Sequence, residues 1–306
     1  LQRDGLFYFH KKIRMLQLSP IIAGCMKWGQ WGAKFSSVQY LQLIENCLAA
    51  GITSFDHADI YGDYTVEEEF GEALKQKPDL RQQIQLITKC GIRRFTPNRP
   101  ENRINSYDTS KEHIIASVEN SLRNLSTDYL DLLLIHRPDP LMHPHEIADA
   151  FTQLKQQGKV IHFGVSNFTP SQMDMMMTAF GVEFNQLEVS VLKLDPFHDG
   201  TLDKCIQHYI RPMAWGPLGS GRFYKDDEDE QNKRILAVAQ LLAAKYDASI
   251  EQVLLAFLFK HPAGIIPVLG STKIERLKSA LDAARINIER EEWFMLWRAS
   301  TGHEVP

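Results

Sequence analysis

Cysteine is scarce in this chain: four in 306 residues, Cys25, Cys47, Cys90 and Cys205, with no Cys-x-x-Cys pair among them. Such spacing implies neither a disulfide framework nor a thiolate zinc site, and suits reduced, partly buried thiols in a cytosolic, cytoplasmic chain. No apolar run reaches the length of a membrane span, and the N-terminal apolar stretches are too short and interrupted for a signal peptide. Neither sign of charge dominates. The 34 basic and 38 acidic residues are intermixed and leave a formal net charge of -4, so there is no electrostatic footprint for nucleic acid or a membrane surface, and a small-molecule partner is favoured. No tract of Pro, Gly or Ser reads as a linker, and a chain that is 44% hydrophobic can bury a large core, so residues 1–306 are expected to form a single domain. The first strand candidate is not followed by Gly-x-Gly-x-x-Gly, which an open dinucleotide-binding sheet would want. It is not followed by a His-x-His pair either, which argues against a metal-dependent barrel hydrolase, although His57, Asp59, His136 and Asp139 are all ligand types.

Against these absences stands one recurring pattern. The stretch GITSFDHADIYG, residues 51–62, begins as a short β-branched and aromatic strand and gives out into Asp56, His57, Asp59 and Tyr61. Segment 84–87 ends in Thr88 and Lys89, 130–135 in His136 and Arg137, and 160–165 in Ser166 and Asn167. Segment 182–184 leads into Asn185 and Gln186, 212–214 into Trp215 and Gly216, and 265–269 into Gly270 and Ser271. Polar groups thus gather at the carboxyl ends of successive strands, with 21–24 as a further strand at the start.

Helix-period segments alternate with these strands. Ser36 or Ser37 can cap a helix through Leu48, Thr65 starts the next, and Ser110 caps a helix with Ile114, Ile115, Val118 and Leu122 as its buried stripe. Further helices are expected after His145, after Pro170, over 202–209, 235–246, 250–259 and 273–284. Eight strands each followed by a helix imply right-handed parallel crossovers and a closed (β/α)8 TIM barrel, whose chemistry sits on the carboxyl face of the strands. Apolar residues on either side of His10, Lys11 and Lys12 suggest a β-hairpin at the N-terminus. Residues 93–108 form a long polar loop of the kind that shapes a substrate pocket, and the acidic run 226–230 reads as a solvated loop. The glycine-rich segment from Gly216 to Arg222 can be a phosphate cradle or a plain connection.

Five motifs in this order resemble the aldo-keto reductases, and within them the YdhF-type bacterial oxidoreductases: GITSFDHADIYG at 51–62, ITKCG at 87–91, LDLLLIHRP at 130–138, FGVSNF at 163–168 and IPVLG at 266–270. The resemblance covers nearly the whole chain. It implies a catalytic tetrad of Asp56, Tyr61, Lys89 and His136, NADPH (NADP) as cofactor, a small-molecule carbonyl substrate and no metal. Reducing a carbonyl with a nicotinamide hydride leaves charge on oxygen, which needs a placed proton donor and a polar surround. Tyr61 is suited to donate, Lys89 to favour the phenolate and pull the phenol's pKa down from about 10, Asp56 to hold Lys89, and His136 to orient the carbonyl.

The resemblance also implies a cofactor seat. Ser166, Asn167 and Gln186 would hold the nicotinamide carboxamide, and Trp215 stands where the family commonly has a Tyr under the ring. Gly216, Pro217, Leu218, Gly219, Ser220, Gly221 and Arg222 would cover the pyrophosphate. Gly270, Ser271, Thr272, Lys273 and Arg276 would hold the adenosine end and its 2'-phosphate. The chain departs from the family at Ser279 and Ala280, where an acidic residue and Asn often contact adenine. Two functions stay open on these residues: an NADPH-dependent reductase of an aldehyde or ketone, and an NADP(H)-binding regulatory protein with the same fold and little turnover, as potassium-channel β-subunits illustrate.

Overall fold

The computed structural model describes residues 16–224 and 229–306; the expected N-terminal hairpin and most of the acidic run at 226–230 lie outside them. The described strands, in chain order, are β1 (Ile22–Gly24), β2 (Ser54–Asp56), β3 (Gln85–Cys90), β4 (Ile92–Arg93), β5 (Ser106–Tyr107), β6 (Leu130–Ile135), β7 (Val160–Ser166), β8 (Phe184–Glu188), β9 (Arg211–Trp215) and β10 (Ile266–Leu269). The short β4 and β5 pair antiparallel within the loop expected at 93–108. The other eight strands close into a parallel barrel in the order β1-β2-β3-β6-β7-β8-β9-β10. The expected (β/α)8 barrel is therefore the observed fold.

Helices α1 (Ser37–Ala49), α2 (Val66–Gln76), α3 (Lys111–Asn124), α4 (Pro144–Gln156), α5 (Pro170–Met177), α6 (Asp195–His198), α7 (Thr201–His208), α8 (Glu230–Tyr246), α9 (Ile250–Phe259), α10 (Ile274–Asp282) and α11 (Arg290–Thr301) occupy the connections and the C-terminal end. Reciprocal capping boxes built on a Ser or Thr hydroxyl start three of them: Ser36 with Gln39 at α1, Thr169 with Gln172 at α5 and Ser249 with Gln252 at α9. Each satisfies two backbone donors that a helix start leaves free.

Some boundaries differ from the sequence reading. Thr65 precedes α2 without capping it, because its hydroxyl donates to the Gly62 carbonyl at 2.9 Å. Helix α4 begins at Pro144, ahead of His145, since a proline at the first helical position gives up a donor with no intrahelical partner. Helix α8 begins at Glu230 because Asp229, the fourth acid of the run, accepts hydrogen bonds from the Gln231 and Asn232 amides. The periodicity reading placed nothing at α11, whose Trp293 stacks on Phe257 at 4.6 Å between ring centroids and seals α9.

Inside the barrel, Ile22, Ile87, Leu132, Leu134, Phe184, Met213, Ile266 and Val268 pack as one cluster, with Leu16 and Leu18 against it. Buried side chains of this size contribute about 1.5–3 kcal/mol each, so this filling is a core and not a pore. At the amino-terminal end of β2, Ser54 accepts from the Ser19 amide, so Leu16 and Leu18 close the barrel at the end opposite the polar residues. A Cβ on Gly164 would lie 2.6 Å from the Phe184 carbonyl oxygen and 2.7 Å from a Leu134 methyl, so β7 needs glycine there.

Side-chain alternation along a strand then positions the chemistry. Ile87, Leu134 and Phe184 face the interior, so two residues further on Lys89, His136 and Gln186 point inward one layer higher. Lys89 and Gln186 thus lie within β3 and β8, not beyond their ends as the sequence suggested.

Candidate active site

Three of the four expected tetrad residues meet at one nitrogen. Lys89, with no exposed surface, directs its Nζ to both carboxylate oxygens of Asp56 at 2.8 Å, to the His57 carbonyl at 2.7 Å and to the Tyr61 hydroxyl at 3.1 Å. The backbone beyond β2 keeps the barrel ladder going: the His57 amide bonds the Ile87 carbonyl at 2.8 Å and the Asp59 amide bonds the Lys89 carbonyl at 3.0 Å. This holds the turn carrying Tyr61 over the end of β3. The fourth residue, His136, meets Tyr61 ring edge to ring face at 6.1 Å.

Burial pushes the Tyr61 phenol above its ordinary pKa, Lys89 opposes the shift and Asp56 adds to it. The expected net lowering by Lys89 is not what the site shows: the desolvation of a buried phenolate outweighs one ammonium that is itself half-compensated by Asp56. Burial alone would depress Lys89, but Asp56 and Tyr61 outweigh it and raise its pKa above the usual lysine value. His136 is held well below the ordinary histidine value, first by burial and then by the positive charges of Lys89 and Arg137, so its imidazole is neutral. Its Nδ1 is buried with no hydrogen-bond partner among the described residues.

The expected nicotinamide residues surround this group. Asn167, in the left-handed region at φ 60°, donates to the Ser166 hydroxyl at 2.7 Å and accepts from the Trp215 indole nitrogen at 2.9 Å. Gln186 donates to Asp56 Oδ1 at 2.9 Å, a link the sequence did not suggest. Past Trp215, the chain turns through left-handed backbone at Gly216, Gly219, Ser220 and Gly221, with Pro217 buried and Leu218 packed on the core. Arg222 lies 3.9 Å from the Asp229 carboxylate.

At the last barrel strand, Gly270 would present a Cβ to open space. The Trp28 indole ties down the Ser271 carbonyl at 3.2 Å, and the Ser271 hydroxyl accepts from the Lys273 amide at 3.1 Å. Thr272 is half-buried, while Lys273 and Arg276 are exposed at the start of α10 and form no ion pair among the described residues. Open backbone beside Gly270, a helix start and two unpaired cations fit the phosphate end of a dinucleotide.

Two side chains that the sequence reading passed over, Trp31 and Arg94, complete the mouth together with Arg137, which stood out there only as a polar residue at a strand end. Trp31, in the loop after β1, lies 6.3 Å from the Tyr61 ring, and the Arg94 guanidinium sits 4.9 Å above Trp31. Arg94 also bonds Asp63 at 2.8 Å, which pins the loop holding β4 and β5 to the loop holding Tyr61. Arg137 lies 5.7 Å above the Trp215 ring. Only the aromatic and cationic residue types could have drawn attention to Trp31 and Arg94, since their proximity depends on loops from different strands. His57 serves packing: it is fully buried with its ring against Phe70 at 4.5 Å, and burial, then Lys89, lowers its pKa to about 3. Among the described residues no group of three or more His, Cys, Asp or Glu is placed to hold a metal ion, and no helix is long and apolar enough to cross a membrane.

Known proteins match this chain over nearly its whole length. The Aldo/keto reductase family model matches residues 20–299. Oxidoreductase YdhF of Escherichia coli is 45% identical over 95% of this chain and 96% of its own. A 6-dehydroglucose reductase of Agrobacterium fabrum is 40% identical over 95% of this chain and 97% of its own. An aldo/keto reductase from Klebsiella pneumoniae, solved in complex with NADP and acetate, matches with a TM-score of 0.73 and 27% identity, over 91% of this chain and 90% of that one. The match over nearly the whole chain, on a barrel that brings the motif residues to one mouth, makes this protein a member of the aldo/keto reductase family, related to oxidoreductases.

Proposed function

We propose that this chain reduces an aldehyde or ketone to an alcohol with NADPH, with Tyr61 as the general acid. The observation that carries the reading is the Lys89 ammonium, 3.1 Å from the Tyr61 hydroxyl and anchored on Asp56. When bound, NADPH supplies the hydride. Ser166, Asn167 and Gln186 would hold its carboxamide, Trp215 would stack on its ring, the segment from Gly216 to Arg222 would cover the pyrophosphate, and the segment from Gly270 to Arg276 would take the adenosine end.

The residues at the mouth handle the proton. A phenol whose pKa is raised by burial stays protonated at neutral pH, the state that a donor to a carbonyl oxygen requires. The Lys89 charge then acts where it is most needed, on the phenolate left after transfer and on the oxygen gaining charge. Neutral His136 can direct an N–H at the same oxygen without competing as a cation. This division of labour makes no use of a metal, so reductase activity should survive dialysis against a strong chelator. Loss with chelator and recovery with zinc would reject it.

The Agrobacterium relative acts, by its name, on a sugar-derived carbonyl, which makes a polyhydroxy aldehyde the first substrate to try beside a simple reactive aldehyde. Turnover of either with NADPH supports the reductase; NADPH binding without turnover of any carbonyl supports the regulatory alternative.

NADPH is expected to bind better than NADH. The two differ by a 2'-phosphate carrying about -1.5 to -2 charges at neutral pH, and Lys273 and Arg276, three residues apart at the start of α10, can both approach one anion. Dissociation constants for both cofactors, measured in the parent and in Lys273→Ala/Arg276→Ala at fixed ionic strength, check this. The double variant should weaken NADPH selectively; equal weakening of both cofactors places the phosphate elsewhere.

A further inference from the structure

Strands β2 and β8 lie four places apart in either direction around the eight-stranded barrel, so the hydrogen bond from Gln186 Nε2 to Asp56 Oδ1 runs straight across its axis. Both residues are nearly fully buried, at 3% exposure each. The bond's direction is set by chemistry: an ionised carboxylate accepts only, so the amide must present its nitrogen. Asp56 therefore has donors on two sides, Lys89 from the neighbouring β3 and Gln186 from the opposite wall.

From this geometry we infer that Gln186 is a positioning residue for the Asp56–Lys89 pair, acting as a neutral strut that holds the carboxylate in place. The inference rests on the reading of Tyr61 as the acid for its catalytic consequence, but the strut itself does not. A neutral donor matters here. Lys89 must hold Asp56 and still present a charge to Tyr61, and a second cation in place of Gln186 would compete for the carboxylate, whereas an amide shares it without adding charge. The strut also touches the expected carboxamide seat. Gln186 stands in register with Ser166 on β7, its carbonyl accepts from the Asn167 amide at 2.7 Å, and its Oε1 accepts nothing among the described residues. One side chain can thus face the seat with its oxygen and Asp56 with its nitrogen.

The titratable groups facing Asp56 are Lys89, Tyr61 and the buried thiol of Cys25, whose backbone amide bonds the Asp56 carbonyl at 2.9 Å. Burial, then the Asp56 charge, pushes that thiol well up, so it stays neutral and does not confuse a titration.

The test uses the full cofactor-free chain with Asp side chains labelled with ¹³C at Cγ, and follows the Asp56 signal by NMR as pH is lowered. In Gln186→Leu the protonation midpoint should move up by about one to two pH units, the scale of one lost charge-assisted hydrogen bond. In Gln186→Glu two carboxyls would share one proton, so the pair should keep a proton well above the ordinary carboxylate range. At saturating NADPH, the ratio of Gln186→Glu to parental kcat should then hold through the ordinary carboxylate range and fall as pH rises above it and the shared proton is lost, while the NADPH dissociation constant is measured separately. Unmoved Asp56 midpoints in the two variants, with every loss confined to NADPH affinity, would make Gln186 a cofactor ligand only and overturn the strut. A parent inactive on every carbonyl but with shifted midpoints would leave the strut standing and remove the proposed function instead.

Discussion

Tyr61→Phe is expected to lower carbonyl reduction by about 10²- to 10⁴-fold, the usual contribution of a placed acid or base, with NADPH binding retained. The change removes one hydroxyl and keeps the ring, so the edge contact with His136 and the contact with Trp31 remain. Lys89 loses one of its acceptors but keeps both Asp56 oxygens and the His57 carbonyl, so it stays charged and in place. Lost rate can therefore be assigned to the lost proton and not to a collapsed site. Single-turnover kinetics with preloaded NADPH give the chemical step, and fluorescence titration gives cofactor affinity. A Phe variant that turns over at the parental rate would move the acid elsewhere, with His136 next in line. The pH dependence carries a sign as well. Because burial raises the Tyr61 phenol, the cofactor-free parent should contain one tyrosine, absent from Tyr61→Phe, that ionises only above the ordinary phenol value of about 10. Difference absorbance of tyrosinate between the two proteins reads this directly.

Much of this site was legible because barrel strands announce themselves twice, by an apolar run and by the polar residues that end it. Asp56 and Lys89 lie in the last two residues of β2 and β3, His136 follows β6 directly and Tyr61 stands in the turn after β2, and closing the barrel brings them together. What pattern reading missed is what closure alone creates. Gln186 and Asp56 are 130 residues apart and meet only because opposite walls of a narrow barrel face each other. Trp31 and Arg94 come to Tyr61 on loops whose path no periodicity encodes. The direction of the Tyr61 shift was misjudged for a related reason. Residue types reveal that an ammonium can stand near a phenol, but how deeply both are buried, and how far Asp56 already spends that charge, depends on packing. Boundaries slipped where the chemistry of a helix start outranked periodicity, as with the Asp229 cap before α8 and Pro144 at the first position of α4.

Lys89→Met should cost both stability and activity, and the two losses should separate in a double variant. The parent buries a carboxylate and an ammonium together, with neither exposed by more than a few per cent. Taking away the cation leaves Asp56 with the Gln186 amide as its remaining side-chain donor, and breaking a buried pair from one side costs about 3–5 kcal/mol. The stranded carboxylate escapes part of that cost by taking up a proton, which it does more readily in the folded than in the unfolded variant. Protons bound preferentially by the folded state stabilise it in acid, so the stability deficit against the parent should be smallest at low pH and grow as pH rises. Urea unfolding at several pH values follows it. In Asp56→Asn/Lys89→Met the buried charge is gone from both sides, and most of the lost stability should return, because well-packed neutral pairs often match buried ion pairs. Reductase activity should not return, since the Tyr61 phenolate would have no cation at 3.1 Å to stabilise it. Stability regained together with activity would show that the pair only supports the barrel mouth, and that the charge beside Tyr61 takes no part in the chemistry.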